Sequence, residues 1–146
     1  MVCSGGDLCD YLQKRKLSKK PLSEDEILTF FVQLCLGLKH MHDRKILHRD
    51  IKTKNVFLAE HESTVVLGDI GISKVLEFTG QCANTSIGSP YYLSPEICKG
   101  TSYDTGTDIW SLGCILYELA TFKPPFNGTN VQSKLRGILC GSNAFP

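Results

Sequence analysis

Long apolar runs are missing from this chain of 146 residues. The most hydrophobic stretches, around Leu34 to Leu38 and Ile109 to Ala120, are too short or too interrupted to cross a bilayer, which takes about 20 apolar residues. An excess of one charge is missing too. Lys and Arg number 16 against 15 Asp and Glu, a formal net charge of +1. That balance offers no bulk footprint for nucleic acid or an anionic membrane, and neither is expected as a partner. The seven cysteines (Cys3, Cys9, Cys35, Cys82, Cys98, Cys114, Cys140) form no C-x-x-C pair, are odd in number and follow no signal-peptide pattern. They read as reduced thiols of an intracellular protein rather than a disulfide framework or a zinc site. Internal repeats and low-complexity tracts are absent as well. His40 and His42 sit two apart on a predicted helix, where their side chains diverge, so they read as surface histidines.

What is present is enough apolar residue, 42%, to bury the core of one domain. Asp7 caps a short helix that ends in a basic connection closed by Lys19, Lys20 and Pro21. Ser23-Glu24-Asp25-Glu26 fits a capping box. Apolar residues at Ile27, Phe30, Phe31, Leu34, Leu38 and Met41 then mark one helical face running to about Asp43. Ile46-Leu47, Val56 to Leu58 and Val65 to Leu67 read as short strands. From Asp69 to Glu96 the pattern dissolves into Gly, Ser, Thr, Asn and Pro. Loops longer than about 15 residues are uncommon and usually functional or disordered, so this one needs a reason. Asp108 to Ala120 is apolar on nearly every face, which suits a core helix. A last, weaker helix spans about Asn130 to Cys140, with Gly137 a poor helix former inside it, disfavoured by about 1 kcal/mol relative to Ala.

Between the first two strand-like pieces stands I-L-H-R-D-I-K-T-K-N-V-F-L, residues 46 to 58. Taken alone, a charged segment of this kind is usually a solvated loop. The spacing H-R-D-x-K-x-x-N, however, arises by chance in a chain of this length only on the order of once in 10⁴ sequences. It resembles the catalytic loop of eukaryotic protein kinases. Asp69-Ile70-Gly71 stands where that family has Asp-Phe-Gly, and Ser94-Pro95-Glu96 where it has Ala-Pro-Glu. The long loop would then be the activation segment, residues 69–96. C-S-G-G-D-L, the stretch from Phe30 through Lys52, G-S-P-Y-Y-L-S-P-E-I and D-I-W-S-L-G-C-I-L-Y-E-L are similar to the NIMA-related serine/threonine kinases of the cell-cycle and ciliary group.

The resemblance implies an α+β fold: the mainly helical large lobe of a kinase with short β-hairpins, without the small lobe, as a partial kinase domain over 1–146. It implies ATP and Mg²⁺ as cofactors and protein Ser/Thr hydroxyls as substrates. It leaves kinase-regulatory partners open. The location it implies is intracellular and cytoplasmic, with centrosome, cilium or nucleus as family alternatives. Asp50 would accept the substrate hydroxyl's hydrogen bond and proton, a task for a carboxylate that orients without competing as a nucleophile. Lys52 would sit beside the γ-phosphate as a point charge, with Ser89 in place of the threonine that bonds both. Asn55 and Asp69 would supply hard oxygens to Mg²⁺. Cys3 would meet the adenine at the hinge and Phe57 would floor its pocket. Arg49 would pair with a phosphorylated activation loop, Thr85 first and Ser86 second as acceptors. His48 reads as a packing residue rather than a proton shuttle. Asp108 would hold the shape of the catalytic loop, beyond the ordinary favour a carboxylate enjoys near a helix N-terminus.

The departures matter too. These 146 residues begin at the hinge, without the Gly-rich loop, strand lysine and helix glutamate that complete a kinase site. Ile70 replaces Phe, one apolar residue for another. Glu96 is expected to lack an arginine partner. Exposed apolar surface and marginal stability are expected. The alternative function is a non-catalytic binding or regulatory module.

Overall fold

The computed structural model describes residues 5–59, 63–69, 90–128 and 130–141. Helix α1 spans Leu8–Leu17, and the Asp7 carboxylate accepts from the Asp10 N–H at 2.8 Å. Helix α2 spans Glu24–Asp43 and opens with the full capping box: Ser23 Oγ accepts from Glu26 N–H at 3.2 Å while the Glu26 carboxylate accepts from Ser23 N–H at 2.7 Å. Two strands, β1 (Val56–Leu58) and β2 (Val65–Leu67), pair antiparallel with Phe57 opposite Val66. The segment before α1 crosses β1 like a third strand: Gly5 N–H donates to Leu58 O at 3.2 Å, and Leu58 N–H to Gly6 O at 2.9 Å. A single turn α3 (Pro95–Cys98), the long helix α4 (Thr105–Thr121) and α5 (Val131–Cys140) follow. Most of the described chain is helical, with one small sheet, the architecture expected of a kinase large lobe.

The apolar periodicity explains the assembly. Phe30, Leu34 and Leu38 of α2 bury against Leu8 and Leu12 of α1, Val56 and Leu58 of β1, and Leu112, Ile115 and Leu119 of α4. A second, smaller cluster joins Cys114 of α4 to Phe126 and Ile138, with Trp110 stacked on Phe126 at a ring separation of 5.4 Å. Helix α4 thus serves two cores, which is why its sequence is apolar around most of its circumference. Ile109 is an exception at 55% exposed. Apolar side chains also face outward from α2 at Leu28, Val32 and Leu36.

The strand expected at Ile46-Leu47 does not form. Ile46 N–H turns back to Met41 O at 3.0 Å, and the next amides point at Asp108 rather than at a neighbouring strand. The short apolar pair serves as a lead-in to a loop. Gly68, by contrast, is required by packing. A Cβ there would lie 2.6 Å from the Phe57 ring, inside any real contact distance.

Two stability changes follow from this core. Leu34→Ala removes a fully buried side chain at the junction of both strands and three helices, and should cost about 2–5 kcal/mol. Ser23→Ala removes one arm of the capping box and should cost about 1 kcal/mol. Urea unfolding of both variants measures this; a Leu34→Ala variant within error of the parent would contradict the assignment of the core.

Candidate active site

The cluster His48, Arg49, Asp50, Lys52 and Asn55 falls on a loop between α2 and β1, and a buried carboxylate fixes its path. Asp108, in the first turn of α4, is fully buried. One of its oxygens, Oδ2, accepts from His48 N–H at 3.0 Å and contacts His42 Nε2 at 2.8 Å. The other, Oδ1, accepts from Arg49 N–H at 3.0 Å and from the Tyr103 hydroxyl at 2.6 Å. A buried carboxylate is costly unless its lone pairs are used, and here both oxygens are doubly engaged. Arg49 adopts φ 68°, a left-handed conformation uncommon for a side-chain-bearing residue. The bond from its N–H to Asp108 holds it there.

Downstream of that anchor the polar side chains converge. Lys52 Nζ lies 2.8 Å from Asp50 Oδ2. The Asn55 amide nitrogen donates to the Asp50 carbonyl at 2.8 Å and to its Oδ2 at 2.9 Å, which commits the nitrogen and turns the amide oxygen elsewhere. Gly68 N–H donates to Asn55 O at 2.9 Å, and Asp69, exposed and with φ 52°, follows Gly68 in the chain. Among the described residues no three His, Cys, Asp or Glu side chains form a metal cluster. A cation at this place would draw on Asn55, Asp69 and oxygens brought by its ligand. His48 is fully buried; burial lowers its pKa against the pull of the Asp108 charge, so its imidazole stays neutral at ordinary pH. That suits packing rather than proton carriage. Phe57 is half-buried on β1, its ring against Gly68. Cys3, Thr85, Ser86 and Ser89 lie outside the described residues.

Residues whose roles the sequence did not disclose complete the cleft, whose volume is about 490 Å³. The Tyr92 hydroxyl meets Thr53 Oγ1 at 2.9 Å and donates to Glu118 Oε2 at 2.5 Å. These bonds link the loop before β1, the turn before α3 and the last turn of α4. Burial, then the charge of Glu118, raises the Tyr92 pKa, while burial raises that of Glu118 against the Tyr92 bond. Tyr92 therefore remains the donor. Glu118 is the second carboxylate of the apolar run of α4, after Asp108, and its partner lies 26 residues away. His42 corrects the reading of two surface histidines. His40 faces Arg44, whereas His42 turns inward to Asp108. The helix had been judged by its own face pattern, and the buried carboxylate comes from a distant one. Glu96 is half-buried and accepts from Thr107 Oγ1 at 2.9 Å; no arginine pairs with it among the described residues. Burial works to raise its pKa, but bonds from its own backbone, Ser94 and Thr107 outweigh that and hold it below the usual value.

A single loop carrying a carboxylate, a cation and an amide oxygen, pinned by a buried aspartate from a long central helix, is the arrangement of a protein kinase catalytic loop. The family description "Protein kinase domain" matches residues 1–144, and the chain belongs to that family. Within it the chain belongs to the NIMA-related branch. It is 55% identical over 144 residues to human (Homo sapiens) serine/threonine-protein kinase Nek5, a match covering 99% of this chain and 20% of that protein. Mouse (Mus musculus) Nek1 is 52% identical over 99% of the chain and 12% of its own length. Zebrafish (Danio rerio) Nek8 is 48% identical over 96% of the chain and 20% of its own length. The chain thus spans a fifth or less of these relatives.

Two measurements test the network. Asp108→Asn keeps the shape but turns an NH₂ toward N–H donors, and should cost about 1–3 kcal/mol or more for the unsatisfied buried groups. Hydrogen exchange at the His48 and Arg49 amides should accelerate in that variant; unchanged protection would show that the loop is held by something else. Glu118 gives a pH signature. Its folded-state pKa is raised above 4.5, so its contribution to stability is fully present below that value and is lost as pH rises through the folded pKa. Glu118→Gln, which can still accept from Tyr92, should match the parent in acid and become more stable than the parent as pH rises. Urea midpoints across pH measure the divergence, and a constant difference would contradict the assignment.

Proposed function

We propose that residues 1–146 form part of a serine/threonine protein kinase domain that transfers the γ-phosphoryl group of ATP to serine or threonine hydroxyls of protein substrates. The observation that carries this reading is the convergence of Lys52 Nζ and the Asn55 side-chain amide on Asp50, with Asp50 and Lys52 lining the cleft. Phosphoryl transfer asks little covalent chemistry of the protein; it asks for an oriented hydroxyl and for charge neutralisation. Asp50 takes the substrate hydroxyl's hydrogen bond and then its proton. Lys52, already against Asp50, adds positive charge on the side where phosphate arrives. Kinases as a family use ATP with Mg²⁺. Asn55, its nitrogen committed, and Asp69 fit the hard-oxygen donors Mg²⁺ takes. When bound, the Mg²⁺–ATP pair supplies the phosphoryl group and much of the charge neutralisation. In this reading Ser89 bonds Asp50 and Lys52, Cys3 and Phe57 border the adenine, and residues 69–96 are the activation segment. Arg49 lines the cleft and would take up a phosphate on Thr85 or Ser86 as loop-ordering partner.

A second reading is a regulatory module that binds kinase partners or substrates without catalysis. Phosphate transfer from γ-labelled ATP to a generic basic protein separates the two. The first reading expects transfer that falls about 10²-fold or more in Asp50→Asn. A folded chain that transfers nothing, with the cleft intact by hydrogen exchange, assigns the second reading to this stretch.

A further inference from the structure

The even overall charge conceals a local concentration. Lys14, Arg15, Lys16, Lys19 and Lys20 place five cations in seven positions at the end of α1. Basic residues are favoured in a last helical turn, which accounts for Lys14 to Lys16 but not for the two beyond the helix. The five do not behave alike. Arg15 turns inward: its guanidinium donates to both Glu26 oxygens at 2.9 and 3.1 Å, to Lys20 O and Pro21 O at 3.0 Å each, and to the Tyr11 hydroxyl at 3.0 Å. Lys20 N–H returns to Arg15 O at 3.0 Å, and Lys19 takes φ 55°. The turn is therefore built around Arg15 and presents its other residues outward.

Every residue from Lys16 to Lys20 is exposed, and Leu17 in their midst is 78% exposed. Lys16 reaches Phe122 O at 3.4 Å, beside Lys123 of the next turn. Among the described residues no carboxylate pairs with Lys14, Lys16, Lys19 or Lys20. The cavity beside the turn contains Asp25 and Glu26 as well as Arg15, so it repels rather than receives an acidic peptide. What remains is an exposed turn with an apolar apex ringed by ammonium groups that have no carboxylate partner among the described residues. We infer that the end of α1 is a peripheral docking tip for an anionic lipid surface, with Leu17 entering the headgroup region and Lys14, Lys16, Lys19 and Lys20 meeting its phosphates and carboxylates. A bilayer suits such a tip because it is anionic and apolar at adjoining depths and yields to a convex shape. The surface is separate from the cleft and does not depend on phosphoryl transfer.

Co-sedimentation of the 146-residue chain with vesicles reads the inference directly. Phosphatidylcholine vesicles carrying about 30 mol% phosphatidylserine should bind it, and plain phosphatidylcholine should not. Lys19→Gln and Lys20→Gln should each weaken partitioning about fivefold, the effect of one lysine near such a surface. Among the described residues neither side chain makes a hydrogen bond, so circular dichroism should be unchanged. Leu17→Ser should weaken binding without altering its salt dependence. Lys45→Gln and Lys99→Gln, the same charge change elsewhere on the exposed surface, should leave it intact. Equal binding to both vesicle types, or parental binding by the Lys19→Gln/Lys20→Gln pair, overturns the inference. So does preferential capture by polyglutamate or by polyuridylate, which would give the tip to an acidic protein or to RNA.

Discussion

Everything at the candidate centre depends on one carboxylate being fully used. Asp108 brings negative charge into the interior, where it is tolerable only because four donors from separate parts of the chain converge on its two oxygens. In return it determines the backbone of a loop that has no ladder of its own. The left-handed turn at Arg49, the burial of neutral His48 and the approach of Asn55 to Asp50 all follow from where those two amides are held. An apolar residue at 108 would lower the desolvation cost, yet it could not choose between this loop path and its alternatives.

A second polar thread runs beneath the cleft and has a different character. Thr53, Tyr92 and Glu118 share hydroxyl and carboxyl groups among three elements, and burial keeps protons on both acidic members more strongly than water would. Where Asp108 fixes the backbone, this thread registers the turn before α3 against the loop. The two share α4, which enters one through its first turn and the other through its last. One helix, packed into two clusters, thus sets the distance between them.

How much of this was legible depends on how local each cause is. The capping box at Ser23, the Asp7 cap, the paired strands 56–58 and 65–67 and the long central helix are written in neighbouring residues, and they formed as read. The loop chemistry was legible because its residues cluster within eight positions of chain. Ile46-Leu47 looked like a strand because an apolar pair carries no information about which acceptor its neighbours will meet. His42 and Glu118 were unreadable for the same reason. Their partners lie 66 and 26 residues away, and single-helix patterns are blind to such distances. The basic turn at residues 14–20 was noticed only as a connection, since the sequence could not separate the inward Arg15 from its outward neighbours.

The anchor also has a direction in time. Its acceptor lies 60 and 59 residues after the amides it holds, so during synthesis the loop leaves the ribosome well before the group that shapes it. At ordinary elongation rates that interval is about 3 to 12 s, far longer than a helix takes to form. Helix α2 and the strands can close in the meantime, but residues 46 to 55 must wait as unordered chain. The centre therefore takes shape after α2 and the strands, and a nascent chain halted before α4 would have its scaffold begun and its chemistry still unassembled.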